Sequence, residues 1–313
     1  MESIALGQSP LQVSRLAYGC WRIGGWESCE ITPERQASGR KAVIAAYESG
    51  YTFFDHADVY CAGEAEKIFG QVLKEVGGMR DRVVISSKCG IRQKGDPSPD
   101  APYRYDFSAG HIILSCEQSL RRLDVDTIDL YQLHRPDLLM RAEEVAEAFS
   151  RLRKTGKVRE FGVSNFRPAQ VRLLQKFCPM RLEVNQVEIS LMELSRFNDG
   201  TLDQCQMEQM TPLAWSPLAG GRLSTNDPIT LREPDHAHRL RIREMLDLAA
   251  RHYNVSRGVI AIAWLLKHPA QIIPIVGSTD PGRIRELTQA VKLSLSREEW
   301  YRLFEAAYGA RLP

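Results

Sequence analysis

Short apolar runs with the character of buried strands alternate along this chain with longer segments whose apolar positions recur every three to four residues, as in a helix burying one face. The alternation is regular enough to count. An opening hairpin is expected in SIALGQSPLQVSRLAY, turning at residues 7–10, because apolar and β-branched positions flank a Gly/Ser/Pro turn. RLAYGC reads as the first core strand. A helix over 33–50 follows, with Thr32 as N-cap, Pro33 in the first turn and Gly50 past the end. Further strands are expected at TFFDHAD, VVISSKCG, TIDLYQLH, KVREFGVS, RLEVNQVEI, PLAWSPL and QIIPIVG. The matching helices fall at 64–76, 108–123, 142–155, near 168–177, 238–253, 256–268, 281–290 and 296–308.

Eight strand–helix repeats after one hairpin predict an α/β fold, a (β/α)8 TIM barrel with an N-terminal β-hairpin and a C-terminal helix. That architecture suits the rhythm better than an open doubly wound sheet. No linker, low-complexity tract or charge block divides the chain, so residues 1–313 are read as one domain. Two irregular stretches break the pattern, 90–107 after the third strand and 218–237 after the seventh. Loops of that length in a compact domain are usually functional.

Composition narrows the partners. With 41 Lys and Arg against 39 Asp and Glu, the formal charge of +2 gives no footing for nucleic acid or a membrane surface. No apolar run approaches the ~18–20 residues of a bilayer crossing, and the start lacks the pattern of a secretory signal. Seven scattered cysteines without a CxxC pair argue against a disulfide framework and a structural zinc site, and favour a reducing, cytoplasmic setting. Oligomeric state leaves no mark on the sequence.

In a barrel the active face lies at the C-terminal ends of the strands. Sorting polar residues by that rule puts Asp55 and Tyr60 at and beyond the end of strand two, Lys88 at the end of strand three and His134 at the end of strand four. Each alone is more often structural; together, on consecutive strands, they make a catalytic patch. A phenol is a poor proton donor at neutral pH unless its phenolate is stabilised, and a nearby ammonium would do so. Asp55 would hold Lys88 charged, and His134 would donate to a substrate carbonyl. The set suits carbonyl reduction, proton to oxygen and hydride to carbon. Metal-dependent hydrolysis through Asp55, Asp58 and His134 is a poorer reading, since strand two has no HxH pair, and no metal is expected. Hydride needs a carrier. No GxGxxG follows the first strand, but WSPLAGGR and GSTDPGR follow strands seven and eight, where barrels commonly hold phosphate groups. Arg283, at the last loop's helix start, is placed to meet an extra phosphate.

DHADVY, ISSKCG, LHRPD, GVSNF, NQVEIS, AWSPLAGG and GSTDPGR, in that order, resemble the successive motifs of the aldo/keto reductase superfamily. The likeness runs from Leu6 to the last helix and is nearest to bacterial oxidoreductases with LHRPD after strand four. It implies a catalytic tetrad of Asp55, Tyr60, Lys88 and His134, with Tyr60 as general acid–base. Ser164, Asn165 and Gln186 would then hold the nicotinamide carboxamide, and Trp215 would stack on the ring. Ser216, Leu218, Gly220 and Arg222 would line the pyrophosphate; Gly277, Ser278, Thr279 and Arg283 the adenosine ribose and its 2′-phosphate. Gly19, Trp21 and Arg22 would touch the nicotinamide side and the substrate mouth.

The sequence also departs from the family pattern. His56 stands where Thr is common, Cys61 where Gly is usual, Leu287 where relatives carry an adenine-reading Asn, and Gly277 where some branches have a basic residue. NADP(H) is expected because Arg283 is kept, with NAD(H) left open; Glu286 could stand in toward adenine. The expected activity is reduction of a small-molecule aldehyde or ketone. The alternatives are a sugar or polyol dehydrogenase running oxidatively and a nicotinamide-binding redox-sensing regulatory protein. Substrate choice is assigned to the two long loops with Trp21, Trp26 and Tyr105.

Overall fold

In the computed structural model of the chain, residues 1–25, 31–227, 229 and 235–312 are described. Eight parallel strands close into a barrel: β3 (Ala17–Gly19), β4 (Phe53–Asp55), β5 (Val84–Cys89), β8 (Ile128–Leu133), β9 (Val158–Ser164), β10 (Leu182–Glu188), β11 (Thr211–Trp215) and β12 (Ile273–Val276), with β12 pairing back onto β3. This is the (β/α)8 barrel. Helices α1 (Pro33–Glu48), α2 (Glu64–Glu75), α3 (Ala109–Leu123), α4 (Ala142–Lys154), α5 (Pro168–Phe177), α6 (Thr201–Glu208), α7 (His236–Tyr253), α8 (Arg257–Leu266) and α9 (Pro281–Leu287) link or follow the strands, and α10 (Arg297–Tyr308) ends the fold.

The N-terminal hairpin, β1 (Ser3–Ala5) with β2 (Gln12–Ser14), closes one end of the barrel. Its Leu6, Leu11 and Val13 form a single apolar cluster with Ala17, Phe53, Val84, Leu130, Val184, Leu213 and Ile273 of the strands. Neighbouring strand residues Tyr18, Phe54, Ile85 and Tyr131 join the separate layer under the helices. Alternation at a period of two therefore assigns faces. Following the inward face upward leads from Phe53 to Asp55, from Val84 through Ser86 to Lys88, from Leu130 through Gln132 to His134, and from Val184 to Gln186. The interior is apolar beside the hairpin and polar at the strand C-termini. The opposite end is thus the one left for chemistry.

Three features differ from the sequence expectation. Helix α6 was not anticipated: Gly200 precedes it in left-handed backbone (φ 81°) and has no side chain to cap it, the Thr201 amide being met instead by Asp199 Oδ1 at 2.9 Å. Within 90–107, a two-residue ladder pairs β6 (Ile91–Arg92) with β7 (Arg104–Tyr105), tied by Arg92 to Asp106 at 3.1 Å. The helix expected over 281–290 ends at Leu287 and tightens into a 3-10 stretch, Thr288–Lys292. Among the described residues no helix is long and apolar enough to cross a membrane, and the six described cysteines are free and buried. Trp26, Cys29 and parts of the 218–237 loop lie outside the described residues.

Candidate active site

The inward rows converge on one ion pair. Lys88 is fully buried, and its Nζ donates to both Asp55 oxygens at 2.8 Å and to the His56 carbonyl at 2.7 Å. Asp55 Oδ1 also accepts from Gln186 Nε2 at 2.8 Å, and beneath it Gln132 Nε2 donates to Ser86 Oγ at 2.7 Å. Burial pushes the Lys88 pKa down and Asp55 opposes that shift. The pair is held because the register sets Asp55 beside Ser86, and Lys88 beside Gln132.

Tyr60 comes from the turn after β4. Cys61 (φ 48°) and Ala62 (φ 52°) both take left-handed backbone there, a conformation that explains why glycine is usual at position 61. The Tyr60 ring lies 5.0 Å from Lys88 Nζ and 5.9 Å from the His134 ring, and Trp21 stands 6.5 Å away at the rim. Burial, then Asp55, lifts the Tyr60 phenol well above its ordinary value. Burial outweighs the lowering expected from Lys88, whose ammonium gives its three protons to Asp55 and His56 and stands 5.0 Å from the ring centroid. The charge that opposes the rise is that of Arg135.

His134 is neutral, driven well below the usual histidine value by burial and by Lys88 and Arg135. Its Nδ1 is buried without a hydrogen-bond partner, which leaves Nε2 as the atom to meet a substrate oxygen. His56, a departure in sequence, is peripheral. Its ring packs on Phe69 of α2 at 4.6 Å, and burial holds its pKa down at about 3. Cys61 Sγ donates to the Gly24 carbonyl at 3.2 Å.

A hydrogen-bonded belt links these groups to Trp215. Asn165, itself left-handed (φ 62°), donates to Ser164 Oγ at 2.8 Å and the His134 carbonyl at 3.2 Å, and accepts from Trp215 Nε1 at 3.0 Å. Ser164 Oγ donates to the Gln186 carbonyl at 2.9 Å. The belt fixes the indole edge and engages the amide groups of Asn165 and Gln186.

The outer arc has room for a phosphate-bearing ligand. In the loop after β11, Ser216 (φ 50°), Gly220 (φ 70°) and Gly221 (φ 102°) are left-handed, and a Cβ at Gly220 or Gly221 would meet nothing within 4 Å. Leu218 is half-buried in the same loop, near Gly258 of α8. Gly277 is nearly as open, a Cβ there meeting only the Gly19 carbonyl at 3.9 Å. Gly19 is a packing glycine, since a Cβ would stand 2.8 Å from Ile275 Cγ2. Arg22 donates to the Gly220 carbonyl at 3.4 Å, Arg222 pairs with Asp235, and Tyr18 Oη donates to the Ser278 carbonyl at 2.9 Å. Thr279 is half-buried and Arg283 exposed, while the start of α9 is already capped by Asp280, which accepts from the Arg283 amide at 2.9 Å. Leu287 is turned into the core. These residues form an arc around the Trp215 side of the barrel mouth.

One residue went unassigned in the sequence although its motif was quoted. Arg135 of LHRPD follows His134 directly, and its guanidinium lies 5.3 Å over the Trp215 ring. Among the described residues, no group of three His, Cys, Asp or Glu is placed to hold a metal ion.

A sequence model of the Aldo/keto reductase family matches residues 15–307. The chain is 40% identical over 314 residues to a 6-dehydroglucose reductase of Novosphingobium aromaticivorans, covering 98% of this chain and 96% of that one. It is 39% identical to the oxidoreductase YdhF of Escherichia coli over the full length of both. Among solved structures, the glycerol dehydrogenase of Gluconobacter oxydans superposes with a TM-score of 0.85 at 28% identity, covering 97% of this chain and 94% of that one.

Proposed function

The chain belongs to the aldo/keto reductase family of oxidoreductases, and on that premise we propose that it is an NADP(H)-dependent enzyme reducing an aldehyde or ketone to the alcohol. The observation that carries this reading is the buried Lys88–Asp55 pair set under the Tyr60 ring, with neutral His134 on its other side.

A bound reduced nicotinamide would supply the hydride. Trp215, held at its indole edge by Asn165, would cover the ring, with Ser164 and Gln186 beside the carboxamide and Gly19, Trp21 and Arg22 at the substrate side. Ser216, Leu218, Gly220 and Arg222 would take the pyrophosphate on the open backbone after β11. Gly277, Ser278, Thr279 and Arg283 would take the ribose and its 2′-phosphate. The proton comes from the protein. His134 Nε2 orients the carbonyl oxygen by donating to it, and the Tyr60 hydroxyl passes its proton to the same oxygen as charge develops there. A phenol lifted above its ordinary value is fully protonated at neutral pH, as a general acid for reduction must be. Lys88 and Asp55 position the ring from below.

The reverse reaction has support in the glycerol dehydrogenase likeness. It requires Tyr60 as a phenolate base, however, and burial of the phenol works against that at neutral pH. Reduction is the favoured direction. The relatives named 6-dehydroglucose reductase support a polyhydroxylated aldehyde among the substrates to try. Six buried cysteines fit action in a reducing cytoplasm. The test is a fluorescence titration with NADPH and NADH, followed by loss of nicotinamide absorbance over a panel of aldehydes, ketones and sugar aldehydes. NADPH oxidation dependent on a carbonyl supports the proposal; a protein that binds neither nucleotide, or oxidises none on any carbonyl, contradicts it.

A further inference from the structure

The guanidinium groups in the body of this fold mostly have carboxylates: Arg80 has Asp129, Arg92 has Asp96 and Asp106, Arg122 has Glu66, and Arg257 has Asp247. Arg135 differs. It is half-buried and its guanidinium lies 5.3 Å over the Trp215 ring, and among the described residues it makes no hydrogen bond or ion pair. Its charge reaches Tyr60 and His134 in the catalytic patch and Tyr103 and Glu188 at the mouth, so it stands among the residues a substrate would touch. Glu188, which feels its charge, makes no ion pair with it; burial and Glu193 raise the Glu188 pKa and Arg135 opposes that rise.

A partly desolvated cation without an ion pair among the described residues is costly unless something else compensates. Here the indole face compensates in part, through a cation–π contact. Stacking also leaves the planar N–H fork free at its edge, the geometry that binds a carboxylate with two parallel hydrogen bonds. Backbone on both sides is fixed, by the His134 amide donating to the Cys89 carbonyl at 2.9 Å and by Pro136. The donor is therefore aimed before any ligand arrives.

We infer that Arg135 is a specificity-determining residue, and that the substrate is a carbonyl compound bearing a carboxylate that Arg135 binds. This rests on the carbonyl-reductase reading for the identity of the reacting group, and on Arg135 alone for the anion. Matched pairs isolate it: 4-oxobutanoate against 4-methylpentanal, and 3-carboxybenzaldehyde against 3-methylbenzaldehyde. A charge-assisted bidentate contact should favour the carboxylate member by about 10- to 150-fold in kcat/KM. Arg135→Met, which keeps the stem, should bring that ratio near one, and Arg135→Lys should retain part of it.

Binding gives a readout without turnover. With the wild-type holoenzyme, titration of tryptophan emission should show benzoate binding at least about tenfold more tightly than benzamide, and the Met variant should not distinguish them. Reduction of the aldehydes with no carboxylate preference, or a preference unchanged in Arg135→Met, overturns this inference and leaves the reductase reading standing. A benzoate preference that depends on Arg135 in a protein that reduces no carbonyl supports the anion site and contradicts the reductase reading.

Discussion

Replacing Asp55 by Asn removes one charge from the buried pair while keeping the side chain's shape. Lys88 is enclosed and has three acceptors, two of them the Asp55 oxygens at 2.8 Å. Asparagine offers one oxygen, and its amide must then face Lys88 Nζ in either orientation, and Gln186 Nε2 as well in one of them, donor against donor. Taking one partner from a buried ion pair costs about 3–5 kcal/mol, a large share of the ~5–15 kcal/mol that holds a domain together. The deficit depends on pH with a definite sign. Burial already depresses the Lys88 pKa and Asp55 opposes this, so the variant's Lys88 falls further below the unfolded value of ~10.4. Between those two values the unfolded chain binds more protons, so stability rises with pH through that window. Urea unfolding of both proteins, followed by tryptophan emission, should show a gap of about 3–5 kcal/mol near neutral pH. The gap should narrow as pH rises toward the unfolded lysine value of ~10.4, as Lys88 sheds its proton in the folded variant. A gap below about 1 kcal/mol, the scale of an exposed pair, or one that widens with pH, would refute this account of the site.

Catalysis should share that electrostatics. With His134 held neutral and the Tyr60 phenol raised, the rate of reduction should be flat on the acid side of neutrality and fall only in strongly basic solution. An acid limb near the ordinary histidine value of ~6.5 in the pH–rate profile would mean that His134 works as a cation. Arg283→Ala should weaken NADPH by about tenfold, the low end for a charge-assisted contact because Asp280 already occupies the helix start, with little change for NADH. Equal wild-type affinity for the two nucleotides would remove Arg283 from the cofactor site. Gly70→Ala should destabilise the barrel by about 1–3 kcal/mol, since a Cβ there would stand 2.6 Å from the Leu123 carbonyl oxygen; thermal denaturation checks it, and an unchanged midpoint would mean that α2 and α3 part freely.

The barrel was legible in the sequence because a strand buried on both faces and an amphipathic helix carry different periods, and eight alternations leave few architectures. The residues of the candidate site were legible because strand ends are marked by loop residues, so Asp55, Lys88 and His134 could be placed together before any coordinates. Helix α6 was not, since it is short and starts after Gly200, whose own position offers no capping side chain. The full set of Lys88 partners was not legible, because chain position does not say where three ammonium protons go, and the His56 carbonyl takes one of them. Arg135 was overlooked for a related reason: a lone arginine is ordinary in sequence. What sets it apart is the Trp215 stack, together with the absence of a carboxylate ion pair among the described residues.

The central claim is that Tyr60 delivers the proton in a nicotinamide-dependent reduction, and Tyr60→Phe tests it most directly. The ring stays and only the donor hydroxyl goes, so NADPH affinity by fluorescence titration should hardly change. Carbonyl-dependent NADPH oxidation should fall by at least about 100-fold, the low end for losing a general acid. A variant that reduces its best carbonyl at the wild-type rate would contradict the account.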